Sequence, residues 1–252
     1  MMSREPQLEI CIEDLESARA ALIGGAHRIE VCGALSSSGI TPSAGLVERC
    51  VELGSIAVMM MIRPHGGSFC YDADDQQTML RDIQLAHRLQ VQGVVFGALT
   101  ADQQVDVELC RRLVSAARPL SVTFHRAFDL VPDPLRAVDL LLELEVDRLL
   151  TSGQAPTALA GSTLLRQLVR RVGEQLTIVA GGGVREEHVA QLVAMTGVWE
   201  LHGSASRLRN MMTSDPLGLI HPVRYTQVDT VQKMVTALRG AVRDDRASDG
   251  DR

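Results

Sequence analysis

The feature that most constrains this chain is a repeated switch between two hydrophobic periods. Eight short β-rich runs recur: "QLEICI" (7–12), "RIEVC" (28–32), "IAVMMMIR" (56–63), "GVVFG" (93–97), "LSVTFHR" (120–126), "DRLLTS" (147–152), "LTIVAG" (176–181) and "VWELHG" (198–203). Between them lie longer segments of helical spacing. In "DQQTMLRDIQLAHRL", for example, Met79, Ile83, Ala86 and Leu89 recur behind the acidic opening Asp72, Asp74 and Asp75. Pro42 and Pro134 stand where helices would start, a place that tolerates a missing amide proton. Eight strand–helix units without a linker predict parallel βα units closing into one α/β domain, a (β/α)8 barrel over residues 1–242. A doubly wound open sheet is the alternative for the same pattern. Residues 206–228, with Pro216, Gly218 and Pro222, read as a long excursion before a last helix near 229–238. The charged end, 243–252, reads as a disordered tail.

Composition narrows the function classes. The net charge of −6 argues against a nucleic-acid partner held by a basic field. No run reaches the roughly 18 apolar residues of a membrane span, and "MMSREPQLEI" lacks a signal-peptide core, so a cytoplasmic location and no membrane partner are expected. The five cysteines, Cys11, Cys32, Cys50, Cys70 and Cys110, are scattered without a CxxC pair, which speaks against a disulfide framework or a zinc site. The only lysine is Lys233, in the last helical segment, so chemistry through a lysine imine has no candidate among the strands.

In a barrel of this kind chemistry sits where the strands end, and alternation sorts the side chains. Glu9 and Cys11 share a phase, as do Glu30 and Cys32, then Met59, Met61 and Arg63, then Thr123 and His125, then Glu200 and His202. The opposite phase is apolar, with Ile10, Ile29, Val31, Ile62, Val122, Phe124 and Leu201. A single histidine at a strand end is more often hydrogen-bonded scaffold than catalyst. Several carboxylates, an arginine and two histidines on one inward face are costly to bury unless they pair or meet a ligand. Glu9, Glu30, His125 and His202 are therefore acid/base candidates. Two glycine stretches add an anion site: "AGGGV" after the seventh run supplies Gly182 and Gly183, and "LHGSAS" after the eighth supplies Gly203 and Ser204. Ser152 after the sixth run offers another donor, and Arg63 could clamp an anion bidentately.

Collinear motifs from Leu8 to Ser206 resemble the CutC family of copper homeostasis proteins: "LEICIEDLESA", "GGAHRIEVC", "GITPSAGL", "MIRPHGGSFCY", "GVVFGAL", "LSVTFHRAFD", "DRLLTSGQ", "GGGV" and "ELHGSAS". The resemblance implies a TIM-type barrel and a homodimer or larger homo-oligomer. Glu9, Glu30, Arg63, His125, Arg126 and Asp129 all stand at its motif positions, which adds Arg126 to the anion-binding candidates. The family's name implies copper ion binding. Cu(I) prefers soft sulfur, and Cys11 and Cys32 share a phase on adjacent strands, which makes them its candidate ligands. The null for these cysteines is that they, like Met59 and Met61, are ordinary barrel filler. The second hypothesis is a lysine-independent isomerase, lyase or hydrolase acting on a small anionic or phosphorylated, sugar-like metabolite, with or without a divalent metal. An inactive scaffold barrel is the third.

Overall fold

The computed structural model describes residues 5–209 and 223–249. Each β-rich run becomes one strand: β1 (Gln7–Ile12), β2 (Arg28–Val31), β3 (Ala57–Met61), β4 (Gly93–Phe96), β5 (Ser121–Phe124), β6 (Arg148–Thr151), β7 (Thr177–Gly181) and β8 (Glu200–Gly203). All pair in parallel with their sequence neighbours, and β8 returns to β1, closing the barrel. The closed ring excludes the open doubly wound sheet.

The helices between them are α1 (Leu15–Ile23), α2 (Ala44–Val51), α3 (Ala73–Arg88), α4 (Val107–Ala117), α5 (Pro134–Glu143), α6 (Ser162–Val172) and α7 (Val189–Thr196). Local chemistry sets several starts. The Asp72 carboxylate accepts from the amides of Asp74 and Asp75 and so caps α3. Asp133 caps α5, with Pro134 as its first residue. Pro42 lies two residues before the first residue of α2, because Ser43 takes the capping position and Ala44 opens the helix.

The outward strand residues Ile10, Ile29, Ile62, Val122, Phe124 and Leu201 are fully or almost fully buried against the helices, in the main core. Cys32, Met59, Met61 and Val95 form a second, smaller apolar cluster. Its members lie on the opposite, inward phase, so the barrel is filled from both sides of its wall.

After β8 the chain forms a small antiparallel pair, β9 (Ser206–Leu208) and β10 (Arg224–Thr226). The middle of the expected excursion, including Pro216, Gly218 and Pro222, lies outside the described residues. The last helix, α8 (Val228–Asp249), runs well past the end expected near residue 238. Its backbone is helical from 243 to 249, where the charge run alone suggested a disordered tail. A helix already nucleated by packing extends at little cost, since each further residue adds one hydrogen bond. Among the described residues no helix is long and apolar enough to cross a membrane.

Candidate functional site

The inward polar residues occupy two levels. At the N-terminal end of the barrel, Arg28 opens β2 and is almost wholly buried. Its guanidinium donates to Glu9 Oε2 at 2.5 Å, to Glu200 Oε2 at 2.5 Å and to Gln7 Oε1 at 2.8 Å. Arg148, the first residue of β6, reaches Glu200 at 3.3 Å and Ser121 Oγ at 2.5 Å. Strand-start charges therefore meet across the interior as a plug of alternating sign. Burial alone would raise the pKa of Glu9, but Arg28 and His202 outweigh it and hold the carboxyl well below the usual range.

Above this plug, at the C-terminal end, opens a cavity of about 470 Å³. Its lining includes Cys11, Glu30 and Cys32 from the first two strands and the turn after them, Arg63 and Phe69 from the loop after β3, and His125, Arg126 and Asp129 after β5. Gly182, Gly183, His202, Gly203 and Ser204 complete it from β7, β8 and their loops. Most of the candidate residues thus converge at one mouth.

On one wall, ligand atoms of Cys11, Glu30 and His202 all lie within 4.8 Å of one another. His202 Nδ1 is 2.7 Å from Glu9 Oε1, and Nε2 is 3.9 Å from Glu30 Oε2. With Glu9 ionised, Nδ1 donates to it and Nε2 is the atom turned to the cluster. Burial opposes a charge on His202, yet Cys11, Glu30 and Glu9 together raise its pKa well above the ordinary value. Burial raises the pKa of Glu30, and the Glu9 charge adds to it against the pull of His202. The thiol of Cys32 donates to Glu30 at 3.4 Å, and burial followed by that carboxylate pushes its pKa well up. The thiol of Cys11 points to the Gly203 carbonyl at 3.6 Å.

On the opposite wall, His125 ends β5 and caps the short 3-10 turn that follows. Its Nδ1 accepts from the Ala127 amide at 3.2 Å, which leaves the proton on Nε2, a buried atom without a partner. Burial, reinforced by Arg63, lowers its pKa to about 3, so the ring is neutral and serves as a hydrogen-bond donor. Gly97, the residue after the neighbouring strand β4, makes room for this ring, since a Cβ there would come within 2.4 Å of Nδ1. Gly182 and Gly183 have φ of 105° and 65°, conformations open to glycine that bring the loop after β7 to the cavity.

Four candidates have a different place from the one expected. Glu9 lies below the cavity lining, in the plug, where its two oxygens are taken by Arg28 and His202. Ser152 does not line the cavity: its amide donates to Asp129 at 3.2 Å, and its hydroxyl lies between the Asp129 carboxylate at 2.9 Å and the Ala155 carbonyl at 2.7 Å. Arg63 is no open fork, since carbonyls of Ser37, Ser38, Gly39 and Gly67 take both of its terminal nitrogens, at 2.9–3.3 Å. Cys32 lines the cavity, but its sulfur falls outside the three-residue cluster, where His202 and Glu30 stand beside Cys11. Arg126 does reach the cavity, tethered to Asp129 at 2.8 Å.

Sequence reasoning missed Arg28 and Arg148 as inward residues, although Arg28 shares the phase of Glu30. It also missed Leu35, Phe69 and Leu130, loop residues that complete the lining without any periodic signal. Lys233 pairs with Glu186 at 3.3 Å and takes no part in the cavity.

A protein of Parabacteroides distasonis described as a family protein CutC is 46% identical over 231 residues, covering 89% of this chain and 94% of the relative. The mouse protein named copper homeostasis protein cutC homolog is 39% identical over 236 residues, covering 91% and 87% of the two chains. The crystal structure of a CutC from Streptococcus agalactiae superimposes with a TM-score of 0.76 at 30% identity, covering 79% of this chain and 98% of that one. With the CutC family model matching residues 6–207, across all eight barrel strands, the chain belongs to the CutC family.

Proposed function

We propose that this barrel works in copper homeostasis, as several relatives do by name, by binding a copper ion at the floor of the cavity. The observation that carries this reading is the convergence of Cys11, His202 and Glu30 within 4.8 Å, with His202 braced from behind by Glu9. A thiol, an imidazole and a carboxylate suit a transition metal, and they suit calcium or magnesium poorly. A carboxylate behind a ligating histidine fixes its tautomer and aims the free nitrogen. Cys11 and His202 are the ligands a soft Cu(I) ion would use. Cys32 is within reach as a second sulfur; because the pKa values of His202 and Cys32 are both raised, each must give up a proton before it can ligate.

The test is titration of the purified protein with Cu(I) under reducing conditions against a competing chelator. One equivalent bound by the wild type, and lost in Cys11→Ser and His202→Ala, is the expected result. Glu9→Gln should weaken binding by roughly 10–100-fold. Unchanged affinity in the Cys11 and His202 variants would sink the reading.

A second reading, an enzyme for a small anionic metabolite, is favoured by one separate observation. Glu30 carries a buried, unpartnered oxygen and a raised pKa in a cavity of metabolite size. A carboxyl so placed is suited to moving a proton at neutral pH. Screening small phosphorylated and carboxylated compounds for turnover tests it, with Glu30→Gln expected to abolish any activity found.

A further inference from the structure

The wall opposite the cysteine–histidine cluster poses a problem that copper does not answer. Arg63 and His125 are each only 4% exposed; His125 Nε2 has no hydrogen-bond partner, and Arg63 Nε makes no well-aligned hydrogen bond, its one polar side-chain neighbour there being the buried Tyr71 hydroxyl, which carries no negative charge. Among the described residues no carboxylate pairs with Arg63; the carbonyls of Ser37, Ser38, Gly39 and Gly67 solvate its charge without neutralising it. Arg126, by contrast, is balanced by Asp129. A buried charge without a counter-ion is costly, and buried donors are normally satisfied.

One side chain lies against both groups. The guanidinium carbon of Arg63 stands 4.7 Å from the centroid of the Phe69 ring. The His125 ring meets the same phenyl edge-on, with centroids 4.9 Å apart and planes at 60°. An aromatic ring offers a cation and an N–H group weak acceptance. It is a poor substitute for an oxyanion. Phe69 is itself part of the cavity lining, on the loop between β3 and α3, and its backbone carbonyl is tied to the Leu99 amide at 2.8 Å. The side chain can therefore swing about a fixed backbone.

We propose that Arg63 and His125 form a seat for a carboxylate, over which the Phe69 ring lies, and that the cavity takes a small monocarboxylate. The charge count selects the class. One uncompensated guanidinium beside a neutral imidazole donor matches one negative charge. The apolar side chains of Leu35, Leu130 and Leu150 line the same space and would hold the body of the molecule. This inference deepens the small-metabolite reading of the cavity and rests on it. It is independent of the copper reading.

The experiment is a thermal-shift and calorimetric comparison using butyrate and benzoate as monocarboxylate probes, with inorganic phosphate and glycerol 3-phosphate alongside. Three proteins are compared: wild type, His125→Asn and Phe69→Ala. Asparagine keeps an acceptor for the Ala127 amide but lacks a donor at the Nε2 position, so the fold is expected to survive. A carboxylate should bind the wild type saturably, about tenfold or more weakly to His125→Asn, as loss of a hydrogen bond to a charged group implies. It should bind more tightly to Phe69→Ala, which has no ring to displace. Two results overturn the seat and leave the small-anion reading standing: phosphate compounds bind and neither carboxylate does, or carboxylate affinity is the same in all three proteins. If none of the four anions binds, both the seat and the reading beneath it fail.

Discussion

The two ends of the barrel interior hold similar residues in opposite states. At the N-terminal end, Arg28, Glu9 and Glu200 are buried and Arg148 is half-buried, with every charge matched to an opposite one at 2.5–3.3 Å. Toward the cavity, Glu30 Oε1, Thr123 Oγ1 and His125 Nε2 are buried and unpartnered. Desolvation is costly at both ends; only the lower end offsets it internally. Polar groups that satisfy one another brace a structure, whereas polar groups left unsatisfied mark the place where a ligand supplies the missing partner.

The strongest way to break this contrast is to cut the plug. Arg28→Met leaves Glu9 and Glu200 facing each other without their shared cation, and a loss of about 3–5 kcal/mol is expected in urea denaturation. A loss below about 1 kcal/mol would mean that the lower network does not brace the barrel. Because Glu9 also holds His202, the same variant should weaken metal binding even where it folds.

A smaller effect is expected from crowding the upper end. In Gly97→Ala the new methyl group would meet His125 Nδ1 at 2.4 Å and Ala127 Cβ at 2.9 Å. Overpacking of this kind costs roughly 1–3 kcal/mol. Displacement of the His125 ring should abolish carboxylate binding as well. A variant as stable as wild type, with carboxylate affinity intact, would show that the ring is not held where the structure has it.

Acid distinguishes the two ends by pH window. His125 is held neutral down to about 3, while an unfolded histidine takes up its proton near 6.5. The unfolded state thus binds a proton that the folded state refuses, and stability falls as pH drops from about 6.5 toward 3, by up to about 1.4 kcal/mol per pH unit. Glu9 is the converse case: its pKa is lowered from 4.5, so its stabilising share is complete above that value and is lost only as pH falls below it. The difference in unfolding free energy between wild type and His125→Asn, measured from pH 7 to pH 5, should therefore carry the histidine slope alone. Parallel curves would remove His125 from the account.

The smallest effect sharpens the meaning of an unsatisfied group. Thr123 is 1% exposed, and its hydroxyl has no partner. Thr123→Val replaces that hydroxyl with a methyl group of similar size, and a gain in stability of up to about 1 kcal/mol is expected. A clear loss would show that the hydroxyl has a role in the fold.

Periodicity carried much of this protein. Strand-length alternation separates the inward Glu30, His125 and His202 from the outward Ile29, Phe124 and Leu201, and parallel closure follows from eight uninterrupted βα units. Phase cannot report depth, however. Glu9 and Glu30 are both inward and polar, yet one is locked in the plug and the other faces the cavity, because strand stagger in the closed barrel sets Glu9 beside Arg28 and His202, and Cys11 beside Glu30. Nor could phase reveal that Ser152 is taken by Asp129, since hydrogen-bond competition depends on how two loops meet.

The sequence by itself determined the fold and which face of each strand looks inward, because both depend on local spacing and on the cost of exposing apolar surface. Only the tertiary structure decided which buried polar groups are partnered. Partnership is a matter of distances between residues far apart in the chain: Arg28 on β2 reaches past β1 to Glu200 on β8, while Arg63 finds carbonyls and a phenyl ring but no carboxylate.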